Sequence, residues 1–238
     1  MITTSAHLHS IEKSPSWDVA FVLFQVAETF AFSEGQFIMI ECNTPTDTQK
    51  RPYSIATTNK QLQEEKLIGF YVKQVSEAWV SHYLTQIIKP WDQVLFKGPV
   101  WHYTLSDHVN NILLISTWSG LSPNLWILEA LLHSSKQATI VSLFGERARE
   151  KMVDSCTRLL TTQDDRLTSL ITYSKEWPVA DYERSGYVQE HLDECLEIFK
   201  DISDLSVFIC GRPDMVKEVE QRLLEEWIEK KYITTEKY

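Results

Sequence analysis

Glycine is scarce in this chain. The 238 residues include 7, where an ordinary share of about 7% would give roughly 17. Tryptophan numbers 8, and the two together make up a normal glycine complement. Cysteine is sparse as well: four residues at 42, 156, 195 and 210, no two spaced for a zinc or iron–sulfur site. Scattered cysteines in an acidic chain point to a reducing cytoplasm. Positive charge is in deficit, 23 Lys and Arg against 33 Asp and Glu. The net charge of −10 argues against a nucleic-acid surface and against docking on anionic membranes. No apolar run approaches the roughly 20 residues of a membrane span. The first residues, MITTSAHLHSIEKS, lack the charged-then-apolar order of a secretion signal. What is present is an ordinary globular balance, 43% hydrophobic and 24% charged, sufficient for one or two domains.

Two grammars divide the chain. Up to about residue 107 the pattern is strand-like: 19–26 (VAFVLFQV), 36–41 (QFIMIE), 52–57 (PYSIAT), 67–75 (LIGFYVKQV) and 93–97 (QVLFK). One helix is expected near 81–88, and 43–50 (NTPTDTQK) reads as a polar loop. Short strands with a single helix predict an antiparallel β-barrel over 1–107. From 108 to 238 strands alternate with helices. Strands are expected at 112–116, 139–144, 167–173 and 206–210, helices at 124–133, 147–160, 186–199 and 214–230. That alternation predicts an α/β domain with a doubly wound parallel sheet, binding ligands beyond the carboxyl ends of its strands.

The segment 112–123 (ILLISTWSGLSP) is an apolar strand, a tight turn and a helix start. Such a turn presents backbone N–H groups and a positive helix end to an anion. It wants glycine, because only glycine lets the main chain come close and take positive φ. Here Trp118 occupies the first turn position. Arg51-Pro52-Tyr53-Ser54 opens a strand with a cation for phosphate, a flat ring for stacking and a hydroxyl for a ring nitrogen. Taken alone, it reads equally as a surface arginine beside an ordinary strand.

These segments, in order, resemble the ferredoxin–NADP reductase superfamily, two-domain flavoproteins with a flavin-binding barrel and a nicotinamide-dinucleotide domain. Gly35-Gln36-Phe37 resembles the strand opening before the flavin, and Arg51-Pro52-Tyr53-Ser54 the R-x-Y-S/T motif. Tyr71-Val72-Lys73 resembles the strand beside the flavin tail. Val80-Ser81-His82-Tyr83-Leu84 resembles the helix start that holds flavin phosphate. Lys97-Gly98-Pro99 closes the barrel in the family's manner. Thr117 to Pro123 resembles G-x-G-I-A-P, and Phe144-Gly145-Glu146-Arg147 the aromatic-G-x-R turn. Cys210-Gly211-Arg212-Pro213-Asp214-Met215 resembles C-G-P-x-x-M, and Glu236-Lys237-Tyr238 the terminal E-x-aromatic.

The resemblance implies roles. Arg51 would bind flavin phosphate, Tyr53 would stack on the isoalloxazine and Ser54 would hydrogen-bond N5. Pro52, Tyr71, Val72, Lys73, Val80 and Ser81 would line the rest of an FAD site, with FMN the lesser fit. Tyr238 would cover the other flavin face. Thr117, Ser119, Gly120, Pro123 and Arg147 would bind the dinucleotide, together with Gly211, Asp214 and Met215. Cys210 would sit by the nicotinamide C4, with Glu236 nearby. Ser174-Lys175 and, twelve residues on, Tyr187-Val188-Gln189 lie near the places where NADPH-using members surround the 2′-phosphate with a Ser, a basic residue and a Tyr; Gln189 is counted with the cofactor-binding residues, and NADPH is favoured over NADH. Catalytic roles would thus fall to Ser54, Cys210 and Glu236, and electrons would pass to ferredoxin, flavodoxin or free flavin. Arg212 in place of the family's proline, with Ser122 before Pro123, keeps an NAD(P)H:flavin reductase open. The seven histidines are scattered and none is assigned.

The departures cluster on one residue type. Trp91, Trp101, Trp118 and Trp227 stand where the family has glycine, Trp126 where it is often small, and Trp17, Trp79 and Trp177 in turn-like contexts. Either these are UGA codons that the cell reads as glycine, or the protein has diverged into a non-catalytic flavin-binding or scaffold relic.

Overall fold

β1 (Ile2–Lys13), β2 (Val19–Gln25), β3 (Gln36–Asn43) and β4 (Thr48–Ser54) lead into helix α1 (Asn59–Glu65) and β5 (Leu67–Lys73). A short helix α2 (Val80–His82) then widens into a π turn over Tyr83–Ile87, and β6 (Gln93–Trp101) follows. The computed structural model describes residues 2–33, 35–43, 47–75, 80–101, 111–135 and 137–237, without the side chains of 2 and 101.

Burial alternates along β2 and β3, the period-two pattern of strands with one face on a core. The strand order is β4-β3-β6-β1-β2-β5, and each neighbouring pair is antiparallel. Just beyond β4, Ala56 donates its N–H to the Gly69 carbonyl of β5 at 2.8 Å, which draws the two ends of the sheet together. Phe24, Phe70 and Phe96 meet edge to face inside, with centroids 5.3, 5.5 and 6.1 Å apart. Each such pair adds about 0.5–1.5 kcal/mol beyond the area it buries. This is the antiparallel domain expected from the strand pattern. Three details differ. β1 was not expected, because polar residues interrupt its apolar positions; pairing on both sides, with β2 and β6, holds it. The expected polar loop at 43–50 is partly strand, since β4 begins at Thr48. Helix α1 has only Leu62 buried and forms on its cap, where Thr58 Oγ1 accepts from Gln61 N at 3.4 Å.

The second half runs β7 (Asn111–Thr117), a 3-10 turn (Trp118–Gly120), α3 (Leu121–His133), β8 (Thr139–Glu146), a 3-10 turn (Arg149–Lys151), α4 (Asp154–Leu160), β9 (Leu167–Tyr173) and β10 (Glu183–Ser185). A 3-10 turn (Val188–His191), α5 (Leu192–Leu196), β11 (Leu205–Gly211), α6 (Pro213–Glu225), a last 3-10 turn (Lys230–Tyr232) and β12 (Ile233–Lys237) complete it. All six strands are parallel, in the order β10-β9-β8-β7-β11-β12. Ile112 to Ser116 are all buried, as in a strand inside a covered parallel sheet. One face of the sheet packs Leu113, Ile115, Val141 and Leu143 with Leu192 of α5 and Val216, Val219 and Leu223 of α6.

The helices expected at 147–160 and 186–199 are each broken into a 3-10 turn and a short α-helix, and the one expected at 214–230 stops at Glu225. By internal packing the chain divides into two compact units. One is Met1–Leu105 with Leu125–Ile127 and Glu150–Cys156; the other is the remainder. The expected boundary at 107/108 lies outside the described residues.

Candidate functional site

Chain order reverses between β7 and β11: the chain steps outward from β7 to β10, then returns to place β11 on β7's other side. Loops at the carboxyl ends of two such strands diverge and leave a crevice. A cleft of about 430 Å³ lies there, lined by the ends of β7, β8 and β9, by the segments that follow β10 and β11, and by the start of α6.

Close main-chain contact joins the two turns that border it. A Cβ on Gly120 would lie 2.3 Å from the Cys210 carbonyl oxygen and 2.7 Å from Gly211 N, so no other residue fits without moving backbone. Gly211 has φ +148, and a Cβ there would lie 2.2 Å from Thr117 Oγ1. Arg212 N donates to that same hydroxyl at 3.4 Å. The turn after β7 and the turn after β11 are thereby locked together, and Pro123 is buried in the first turn of α3. Ser119 is half-buried on the same turn.

The cleft's far wall is zipped in the same way. Ser174 N donates to Glu146 O and Lys175 N to Arg147 O, both at 3.1 Å, which brings the ends of β8 and β9 side by side. Arg147 and Lys175 are exposed, and neither side chain has an ion-pair partner among the described residues. Thr172 Oγ1 is buried at the cleft without a hydrogen-bond partner among the described residues. Asp214 pairs with Arg212 at 2.6 Å and accepts from Met215 N at 3.0 Å. That backbone bond, before the Arg212 charge, holds its carboxyl below the ordinary value. Gln189 donates to Glu218 at 2.9 Å. Met215 is buried behind them.

Cys210 is fully buried on β11, paired in register with Glu236 of β12, and its Sγ lies 3.9 Å from Glu236 Oε2. An unpaired buried hydroxyl, two cations without ion-pair partners among the described residues and a glycine-dependent junction of the bordering turns are what a nucleotide needs, and these residues fit one.

In the other unit, β4 is an edge strand, so Pro52 removes no ladder hydrogen bond. Arg51 and Tyr53 share one face of it. Tyr53 is half-buried, its ring 6.3 Å from Phe70 and inclined 66° to it, and burial pushes its phenol well above the ordinary value. Ser54 is buried at the strand's end. Tyr71 and Val72 are core side chains, and Tyr71 Oη reaches Lys151 O at 3.4 Å, so this strand offers a ligand only its backbone. Lys73 is half-buried at the end of β5. Val80 is buried, and Ser81 Oγ accepts from Val75 N at 3.2 Å, which fixes the chain entering α2. An open sheet edge carrying a cation and a flat ring fits a flavin. Tyr238 lies outside the described residues.

Comparison with known families agrees with this geometry. Residues 6–104 match the Oxidoreductase FAD-binding domain and residues 114–221 the Oxidoreductase NAD-binding domain. The chain belongs to the ferredoxin–NADP reductase superfamily. Among relatives, it is 28% identical over 221 residues to ferredoxin–NADP reductase B of Sorangium cellulosum, covering 89% of this chain and 87% of that one. It is 23% identical over 218 residues to the toluate 1,2-dioxygenase electron transfer component of Pseudomonas putida, covering 87% of this chain and 59% of that one. The chain thus spans about six tenths of that longer relative. A ferredoxin NADP+ reductase from Neisseria gonorrhoeae, solved with bound FAD and NADP, superposes with a TM-score of 0.82 at 16% identity, covering 99% and 98% of the two chains. That likeness shows a shared fold.

Sequence reasoning did not single out Thr172, whose unpaired hydroxyl only burial reveals. Nor did it find the stacking of the Arg212 guanidinium on the Trp118 ring, 5.1 Å from its centroid. Among the described residues no helix is long and apolar enough to cross a membrane.

Proposed function

We propose that the chain is an FAD-dependent oxidoreductase that takes electrons from NADPH or NADH and passes them to a separate acceptor such as ferredoxin or flavodoxin. The observation that carries this reading is the approach of Gly120 to the Cys210 carbonyl, because it joins a phosphate-type turn to the buried Cys210–Glu236 pair. A bound flavin supplies the exchange between hydride and single-electron transfer. The chain supplies binding and orientation. Arg51 would neutralise a flavin phosphate, Tyr53 would stack on the ring system, and Ser54 would hydrogen-bond its N5. The backbone of Tyr71, Val72 and Lys73 and the amides at Val80 and Ser81 would hold the flavin tail; Tyr238, the remaining residue of the motif, lies outside the described residues.

In the second unit Thr117, Ser119, Gly120 and Pro123 form the turn that receives the dinucleotide pyrophosphate. Gly211, Asp214 and Met215 hold the opposite turn, and Gln189 borders the cleft. Cys210 packs beside the nicotinamide, and Glu236 keeps the thiol oriented. Arg147, Lys175 and Ser174 favour NADPH: two free cations and a hydroxyl side by side suit a 2′-phosphate. A second reading, an NAD(P)H reductase of free flavin, is favoured by exposed Arg212, whose charge at the rim suits a phosphorylated small acceptor. The four cysteines are buried thiols rather than disulfides, which supports a reducing, cytoplasmic setting.

Purified protein mixed with FAD and desalted tests the assignment. It is expected to stay yellow and to oxidise NADPH with ferricyanide. A preparation that retains no flavin and turns over no dinucleotide contradicts it. Comparing ferredoxin, flavodoxin and free FMN as acceptors separates the two readings.

A further inference from the structure

Five non-glycine residues among those described have φ in the left-handed region, and four are tryptophan: Trp17 (+65°), Trp91 (+71°), Trp118 (+56°) and Trp227 (+65°). Tryptophan supplies only 8 of 238 residues. Only a few per cent of non-glycine residues take positive φ, chiefly Asn and Asp, and a bulky residue there is an outlier.

Each of the four sits in a different backbone motif, and each motif calls for glycine at that position. In 89–92, Asp92 N bonds Lys89 O at 2.9 Å, with Pro90 second and Trp91 third. That is a type II turn, which takes proline second and glycine third. In 14–17, Trp17 N bonds Ser14 O at 2.9 Å, and Trp17 ends a turn joining β1 to β2, where hairpin loops carry a left-handed glycine. At the end of α6, Trp227 N bonds Leu224 O at 3.2 Å and Ile228 N bonds Leu223 O at 3.1 Å. Those two bonds define the Schellman motif, with Trp227 at its glycine position and Ile228 making the buried contact that accompanies it. Trp118 is the first residue of the turn between β7 and α3.

The indoles bury little that would offset the strain: Lys13 lies over the Trp17 ring at 4.8 Å and Arg212 over the Trp118 ring at 5.1 Å, both surface cation contacts. A strained backbone persists when the surroundings force it. Here Trp17, Trp91 and Trp227 are 62%, 69% and 92% exposed, so little packs on their rings. At these three the backbone is dictated by its neighbours while the side chains are largely in solvent; Trp118 is half-buried in the cleft wall.

We propose that Trp17, Trp91, Trp118 and Trp227 are glycine in the protein the cell makes, these codons being UGA decoded there as glycine. The inference rests on backbone geometry, not on the electron-transfer reading, but it bears on that reading at one place. The Trp118 indole occupies the cleft wall against Arg212; glycine there bares main chain to a pyrophosphate and uncovers the face of the Arg212 guanidinium, which keeps its pair with Asp214.

Peptide mass spectrometry of the protein isolated from its own cells decides it. Glycine at all four positions is expected, and tryptophan at any of them overturns the proposal. A second measurement needs no native source. Starting from the chain as written, Trp17→Gly, Trp91→Gly and Trp227→Gly should each raise the Tm by about 2–8 °C, the relief of a left-handed Cβ in a chain of this size. Trp177→Gly, equally exposed but not left-handed, should give no such rise. A fall or no change in the first three removes the geometric ground of the proposal. Flavin uptake is read in the same samples, so loss of the redox reading and loss of this one remain distinguishable.

Discussion

Gly120→Ala isolates the junction on which the cleft depends. Gly120 has φ −61° and ψ −8°, a conformation alanine adopts freely, so the substitution tests contact alone. The added carbon would lie 2.3 Å from the Cys210 oxygen and 2.5 Å from its carbonyl carbon. An ordinary contact begins near 3.4 Å, so something must move by about 1 Å. β11 is held between β7 and β12 and cannot yield, which leaves the start of α3 to shift. Overpacking of this kind costs about 1–3 kcal/mol, and backbone on the far side puts it at the upper end. For a chain of this length each kcal/mol lowers the Tm by about 2–4 °C, giving a fall of roughly 6–12 °C. A displacement of about 1 Å in a positioning turn can cost on the order of 100-fold in catalysis. The assay is a thermal melt with flavin absorbance, followed by kcat/KM for NADPH. Flavin content should hold while kcat/KM falls. A variant with unchanged Tm and unchanged kcat/KM refutes the claim that this contact builds the dinucleotide turn.

Other consequences follow from the same geometry. Arg149 binds Glu176, the Trp177 carbonyl at 2.7 Å and the Glu183 carboxylate, which is 4% exposed. Arg149→Ala strands that buried charge and should cost about 3 kcal/mol, read as a lower urea midpoint. The Arg149 bond also holds the Glu183 carboxyl below its ordinary value of 4.5. Its contribution is thus complete above about pH 4.5 and lost as pH falls through the lower folded value, so the variant should show a shallower acid limb. Lys175→Ala should raise KM for NADPH about 10- to 100-fold, the loss of one charge-assisted contact, and leave KM for NADH unchanged. Equal effects on both would deny it a 2′-phosphate role. Cys210→Ala should lower kcat with little change in KM, because the thiol lies beside Glu236 rather than on the turns that grip phosphate. Cys42 and Cys195 are pushed up to about 11 and about 12, chiefly by burial. Neither should react with a thiol reagent at pH 8 until the protein unfolds.

Legibility in the sequence followed the strength of local signals. β7 and β9 were read to within a residue because their apolar runs are unbroken and bounded by turns. β1 was invisible because His7, His9 and Ser10 interleave its buried Ala6 and Leu8, and only pairing on both sides makes it a strand. The long helix expected at 186–199 was wrong because a 3-10 turn consumes its first part, where His191 reaches the Ser185 carbonyl at 2.8 Å. The site was legible where motif and backbone constraint coincide, as at Gly120, Gly211 and Cys210. It was hidden where burial alone carries the signal, as at Thr172. The excess of tryptophan was visible at once, but only torsion angles show that Trp17 belongs with Trp91, Trp118 and Trp227.

The most direct measurement is an anaerobic titration of the FAD-loaded protein with NADPH, followed in the visible band of oxidised flavin. The band should bleach stoichiometrically and return on adding ferricyanide. A protein that keeps its flavin yet holds its colour through excess NADPH and NADH contradicts electron transfer between the two domains' cofactors.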